Sequence, residues 1–396
     1  MKLKKYKVWF YFILITSCIE PFDIENLSFE KNLVVNAVIT NEFKHHMIEL
    51  SNTVELNSDE VKFETDAKVS IVDSNQLVHR FIEVSAGKYE SEEKFKAELN
   101  LEYKLIIETK DGQVYESTSE KLAEETSIIE QINTDVIQDN FETKVILSVD
   151  TKSFDDDQKF YRYEYVETYK VTPPFWRKYR IKTVLDTYPY EFDLELKDFD
   201  RFCYPTSASK KIILKGTTNL SESSIREFPV RSIPIEDIAL SIRYSILVKQ
   251  FSINQEVYNY YKLLEKFSIS DNVFSQTQVG KIPSNIRSID TKNKAVGYFH
   301  VASVFTKRIF FDRDKVTDTY YNNNTSGQCY NIFAPPVRAR DGESPLLNLL
   351  REERYVYYGL SDEISVIQFA PYLVIPRECG DCRHLGPAEK PDFWID

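Results

Sequence analysis

Tyr103-Lys104-Leu105-Ile106-Ile107-Glu108-Thr109, followed by Asp111-Gly112 and then Val114-Tyr115-Glu116-Ser117, reads as two short strands closed by a tight turn. Apolar and polar residues alternate on both sides of the turn, and Asp-Gly tolerates the positive φ that such a hairpin demands. Runs of the same kind recur toward the N-terminus at 33–40, 47–50, 68–72, 77–84 and 88–91. Strands this short and this closely spaced, with no long helical period between them, predict a mainly β fold. It opens with a small β-sandwich of immunoglobulin or transthyretin type over residues 33–117. That prediction concerns fold and leaves function open.

Residues 118–129 are polar and charge-rich, so they read as a linker to a larger β-rich domain over 130–396. Strands are expected there at 144–149, 160–166, 180–187, 211–214, 239–251, 295–304 and 308–311. In the second of these Tyr161, Tyr163 and Tyr165 share one face by the period of two, which suits core packing. One or two short helices interrupt the strands. Ser252 and Gln255 are spaced as a capping box, and Val257, Tyr260, Tyr261, Leu264 and Phe267 recur at helical spacing. Ser344-Pro345 has the form of an N-cap followed by a first-turn proline. No internal repeat is visible, which argues against solenoids and propellers.

The N-terminus speaks to location. Lys2, Lys4, Lys5 and Lys7 precede an apolar run from Val8 to Ile15, too short to span a bilayer, and Ile15-Thr16-Ser17-Cys18 follows. A basic start, a short apolar stretch and small residues before a cysteine resemble a bacterial lipobox. Residues 1–17 are then a lipoprotein signal peptide, Cys18 is the lipidated first residue of the mature chain, and 18–32 form a tether. The 396-residue chain has a formal net charge of −12, and loss of the four lysines in the signal peptide makes it more negative still. An acidic chain lacks the basic footprint of a nucleic-acid binder and has little attraction for anionic lipid. The lipid must therefore hold it to the membrane, which two or more acyl chains accomplish.

Beyond Cys18 an even number of cysteines remains: Cys203, Cys329, Cys379 and Cys382. In an exported protein these are disulfide candidates, with three pairings that the spacing does not separate. Cys379-Gly380-Asp381-Cys382 also has CxxC spacing, but it lacks the βαβ context of a redox site and the second ligand pair of a zinc site. The histidines are His45, His46, His79, His300 and His384, and adjacent His45 and His46 on a strand point to opposite faces. No GxSxG, HExxH or phosphate-binding glycine loop occurs. Asp155-Asp156-Asp157 lacks the remainder of a calcium loop and reads as a solvated turn. The chain is thus expected to be non-enzymatic, with no catalytic residue, metal or cofactor.

The aromatic content is high, with 25 Tyr, 26 Phe and 3 Trp. Most of these residues suit a β core. Tyr188-Pro189-Tyr190 and Tyr355-Val356-Tyr357-Tyr358 are the better binding candidates. The proline disturbs a regular ladder in the first, and Tyr357 and Tyr358 must face opposite ways on a strand in the second.

Several segments together resemble one family. They are Leu33-Val34-Val35-Asn36, Cys203-Tyr204 ahead of Leu214-Lys215-Gly216-Thr217-Thr218-Asn219, and Arg243 through Ser252 with the helix after it. The segment from Val279 to Ile286, Val296-Gly297-Tyr298-Phe299 with Lys307-Arg308, and Cys379-Gly380-Asp381-Cys382-Arg383 through Phe393-Trp394 complete the set. With the lipobox, the chain is similar to the domain-of-unknown-function 4249 lipoproteins of Bacteroidota. The resemblance implies an outer-membrane lipoprotein, held by its N-terminal lipid at a face left open, that partners a TonB-dependent outer-membrane barrel. Its implied role is an accessory or ligand-capture subunit with no catalytic residues to carry over; the alternative is a structural accessory of an assembly or secretion complex. Neither reading names a ligand.

Overall fold

In the computed structural model of the protein, residues 31–396 are described apart from 55–59, 123–126, 139–141, 155–158, 198, 200, 219–223, 270–281, 290–293, 319–326 and 362–368. The expected signal peptide (1–17), Cys18, most of the expected tether and Asp155 to Asp157 lie outside the described residues. The hairpin forms as expected: Glu102–Glu108 and Val114–Ser117 pair antiparallel, with Gly112 at φ +82° in the turn. The alternation is read out directly, since Tyr103, Leu105, Ile107 and Tyr115 are buried while their neighbours face outward.

The chain is mainly β and begins with a sandwich-like unit. Strands Leu33–Thr40, Met47–Asn52, Lys68–Asp73, Val78–Ser85 and Lys88–Ser91 join the hairpin around a single core. That core is not confined to residues 33–117. Leu122, Ile286, Phe299 and Val301 complete it, and Ile286–Ser288 pairs with Val114–Ser117. The expected linker accordingly divides in two. Glu120–Lys121 pairs with the hairpin, and Ser127 already starts the next long strand.

Strand Ala295–Asp312 determines the architecture. Its eighteen residues merge the two separate runs expected from the sequence, and its β-branched and aromatic content suits extended backbone. Residues 295–302 run parallel to Leu33–Thr40 in the first sandwich, and residues 303–312 run antiparallel to Arg243–Ile253 in the second. Where the first pairing stops, Asn41 Oδ1 accepts the Val304 amide at 2.8 Å in place of a backbone carbonyl.

The parallel pairing brings two distant family segments together, Leu33-Val34-Val35-Asn36 and Val296-Gly297-Tyr298-Phe299, with Val35 opposite Gly297. Gly297 adopts φ +121°, and a Cβ there would lie 1.9 Å from the Val35 carbonyl oxygen. Only glycine supplies both that conformation and that approach.

In the second sandwich, Phe160–Lys170, Arg243–Ile253 and the far half of the shared strand pack against a three-stranded sheet of Ser127–Gln138, Thr143–Ser153 and Ile225–Pro234. Ile225–Pro234 is hidden in the sequence by its prolines. It is an edge strand, and Pro229 sits at a register shift opposite Ser148, a place where a missing N–H is tolerated. Tyr161 and Tyr163 lie in the core between the sheets, with Tyr165 packed against it. The Tyr163 hydroxyl is 2.9 Å from Thr151 Oγ1, which also contacts Gln250 Oε1. Gln250 Nε2 donates to Ser127 Oγ, so this buried network ties both sheets together.

Helix Gln255–Ile269 lies across the other face of the shared strand. Its cap is Asn254, whose Oδ1 accepts the Val257 amide at 2.9 Å. Ser252 belongs instead to the preceding strand, with its hydroxyl 2.9 Å from Ser127 Oγ, so the expected capping box does not form. The second helix, Pro345–Arg351, is capped by Ser344 as expected.

His300 sits where the shared strand is covered on both faces. Phe299 and Val301 enter the first core, whereas His300 lies beneath Tyr261 of the helix with ring centroids 5.7 Å apart. Burial, aided by the nearby Arg162 charge, holds its pKa down to about 3; burial is also the main reason that His46 is lowered to about 4. A histidine kept neutral in the fold contributes its full stability above the unfolded value near 6.5 and loses it as pH falls below that value. Stability to urea should therefore decline between pH 6.5 and 5, by at most about 1.4 kcal/mol per pH unit for each buried imidazole. His300→Leu should flatten the slope. A wild-type profile that is level over this interval would contradict the assignment.

Candidate functional site

A third unit is built from the excursion between Phe160–Lys170 and Thr206–Ala208, together with the chain beyond Asp312. Its regular parts are two hairpins, Tyr179–Leu185 with Glu191–Leu196 and Tyr355–Leu360 with Tyr372–Pro376. The apolar clusters here are small, and two disulfides hold the segments together: Cys203–Cys382 and Cys329–Cys379, each with Cα atoms 5.6 Å apart. The open pairing is thereby resolved. Each half of the CxxC pair bonds to a distant cysteine, which consumes the thiols that a redox or zinc site would use.

This lobe holds all five tyrosine candidates, but they do not form one surface. Tyr355 and Tyr357 line a cleft of about 300 Å³ with Tyr179, Phe199, Arg377 and Arg383. Burial raises the pKa of the Tyr357 phenol, and its ring lies 6.5 Å from Tyr372. Tyr358 turns the other way. It packs against the cluster around Cys329 and Cys379, meets the Phe175 ring at 5.8 Å and carries the Arg177 guanidinium at 4.5 Å. The opposite-face argument thus separates Tyr357 as cleft lining from Tyr358 as packing.

Tyr188 and Tyr190 lie in the turn of the first hairpin. Tyr188 is exposed, with Arg338 stacked 4.4 Å above its ring. Tyr190 donates to the Gly342 carbonyl and borders a separate groove of about 450 Å³ with Phe192, Phe369 and Tyr372.

The charged floor of the cleft was not anticipated. Asp381, 1% exposed, accepts from Arg377 Nε at 2.9 Å and from Arg383 Nη2 at 2.6 Å, and its other oxygen caps the Arg383 amide. Burial alone would raise its pKa, yet these hydrogen bonds, led by those from Arg383, hold it down to about 2. Phe199, 40% exposed, is ringed by Arg180, Lys197 and Arg383 at 5.4–5.8 Å. The Cys-Gly-Asp-Cys-Arg motif was the available signal for Asp381 and Arg383. Phe199, Arg180 and Lys197 had none, because they arrive from a hairpin far away in sequence.

The arrangement can hold a flat or partly apolar group between aromatic walls and an acidic group against guanidinium donors. Among the described residues, no three His, Cys, Asp or Glu side chains gather as a metal site.

No curated protein matches the chain. Among solved structures, a DUF4785 family protein from Legionella pneumophila is similar at 6% identity and a TM-score of 0.18, over 55% of this chain and 51% of that one. The chain thus spans about half the length of that protein. A candidate carbohydrate-binding protein from Bacteroides uniformis is 8% identical over 57% of this chain and 92% of that one, with a TM-score of 0.12. Scores this low carry no argument about function. Residues 19–308, which include the shared strand up to Arg308, match the family described as Domain of unknown function (DUF4249), and the chain belongs to that family.

Proposed function

We propose that the protein is a lipid-anchored outer-membrane lipoprotein that acts, without catalysis of its own, as an accessory or ligand-capture subunit of a TonB-dependent transporter. The observation that supports this reading is the serial layout along the shared strand. The tether reaches the fold at Leu33, which pairs with Ala295. At the other end of the same eighteen-residue strand, Asp312 pairs with Arg243, whose Nε donates to the Ile395 carbonyl near the C-terminus. At ~3.3 Å per residue this is a contour of roughly 55 Å. The disulfide-bonded lobe with its aromatic cleft lies toward the end of the strand opposite Leu33, and on this reading the two sandwiches act as a spacer. Such a layout suits contact with a ligand or a barrel mouth above the membrane surface.

Affinity purification from mild detergent tests the proposal. A TonB-dependent barrel should be recovered as the main partner of the wild-type chain. Recovery of assembly or secretion machinery instead would favour the structural-accessory alternative and overturn the transporter reading.

A further inference from the structure

Residues 92–97 cross one end of the first sandwich as a strap. Of its side chains only Phe95 and Ala97 are buried, whereas Glu92, Glu93, Lys94 and Lys96 face solvent. Apart from one isolated bridge the strap belongs to no ladder, so a few bonds hold it. Phe95 and Lys44 exchange amide–carbonyl bonds of 3.1 and 3.2 Å, and the Ala97 amide donates to the Thr40 carbonyl at 2.8 Å. Phe95 closes the core beneath. Its ring stacks on His79 at 4.0 Å, tilts against His46 at 4.6 Å and meets Phe81 edge-on at 6.4 Å. Beside it lies a cavity of about 640 Å³, lined also by Leu77, His79, Leu101 and Tyr103.

The closed strap suits neutral imidazoles. His46, 1% exposed, donates from Nε2 to the Phe95 carbonyl at 3.0 Å, and its Nδ1 is buried with no hydrogen-bond partner among the described residues. A second proton would therefore create a buried N–H with nothing to accept it. Burial is the main cause that keeps both rings neutral, and the Lys44 charge adds to it at His46. Glu42 acts the other way on His46, as Asp73 and Glu93 do on His79. Among the described residues, Glu49, Arg162, Glu164 and Lys249 line the groove that His46 also borders, where Arg162 pairs with Glu164 and Lys88 with Glu49. His45 is exposed, with Nδ1 2.8 Å from the Ser91 carbonyl oxygen. Arg80, Glu92, Lys94, Lys96 and Glu98 line the cavity beside His79. We propose that the strap is an acid-responsive closure: protonation of His46 and His79 favours its released form, so mild acid frees residues 92–97 and bares Phe95 beside the cavity. A histidine near 6.5 when free and about 4 when held supports closure fully above 6.5 and less as pH falls. His46 alone should raise the opening equilibrium about twentyfold between pH 7 and pH 5, and His79 acts in the same direction.

Hydrogen exchange on the full-length protein, corrected for the intrinsic effect of pH on amide exchange, tests this. The Phe95 and Ala97 amides should exchange through a local opening, faster than strand Glu102–Glu108 at both pH 7 and pH 5. That opening should rise at least about tenfold between the two. His46→Gln keeps a donor toward the Phe95 carbonyl without titrating, and His79→Phe keeps a ring against Phe95. In the double variant the rise should shrink to about twofold or less. Strap amides as well protected as the strand would mean that the segment opens only with the whole sandwich, and this overturns the proposal. So does a wild-type opening that fails to rise, or an equal rise in the double variant. The wild-type comparison decides the matter by itself should the double variant not fold.

Discussion

Gly297→Ala should destabilise both sandwiches together, by at least about 4 kcal/mol, a loss that single substitutions reach only through severe overpacking or backbone strain. Two independent costs coincide at this residue. A Cβ would lie 1.9 Å from the Val35 oxygen and 2.8 Å from its carbonyl carbon, both backbone atoms that cannot move aside alone, and φ +121° is foreign to any L side chain. Relief requires the parallel pair between Leu33–Thr40 and Ala295–Ala302 to separate. That would withdraw Phe299 and Val301 from the first core and release the strand on which the second sandwich depends. Gly112→Ala is the control. It also has positive φ, but nothing lies within 4 Å of its Cβ position, and a loss of about 1 kcal/mol is expected. Urea unfolding of both variants distinguishes these outcomes, and a wild-type midpoint for Gly297→Ala would show that the two strands do not approach as described.

The second large effect belongs to the disulfides. Removing Cys203–Cys382, which spans 179 residues, should cost about 5 kcal/mol in the chain-entropy account, and removing Cys329–Cys379, which spans 50, about 4 kcal/mol. The damage should be confined to the lobe. Its clusters are built around the bridged cysteines themselves, whereas each sandwich has a continuous core of its own. Hydrogen exchange on the Cys203→Ser/Cys382→Ser double variant should show lost protection in Tyr355–Leu360 and Tyr372–Pro376, with Leu33–Thr40 still protected. Retained protection throughout the lobe would mean that apolar packing alone holds it.

The local alternation of apolar and polar residues made the first sandwich legible. Leu33–Thr40, Lys88–Ser91 and Val114–Ser117 begin and end where their patterns do. Long-range closure left no such pattern. Nothing near Leu33 announces that its parallel neighbour lies more than 250 residues away, so a continuous fold was divided at a polar stretch that is itself partly strand. The family segments held the missing information in separate pieces, Leu33-Val34-Val35-Asn36 and Val296-Gly297-Tyr298-Phe299, and only the pairing of Val35 with Gly297 explains why both are needed.

The cleft divides in the same way. Tyr355 and Tyr357 could be picked out because a period of two forces Tyr358 to the other side. Phe199 and Arg180 could not, because a disulfide and a hairpin bring them there. One consequence concerns truncation. Residues 33–117 cannot be deleted cleanly as a spacer, since Ile286, Phe299 and Val301 would lose the core they help to fill.

The most direct test of the functional account is therefore made on the intact chain. Wild type, Cys18→Ala and Cys203→Ser/Cys382→Ser are purified side by side from mild detergent, and the proteins recovered with each are identified by mass spectrometry. The account predicts a TonB-dependent barrel with the wild type and its loss when the lobe is loosened, together with release of Cys18→Ala from the membrane fraction. A barrel recovered equally well with the loosened lobe, or Cys18→Ala retained in the membrane without any barrel, would contradict it.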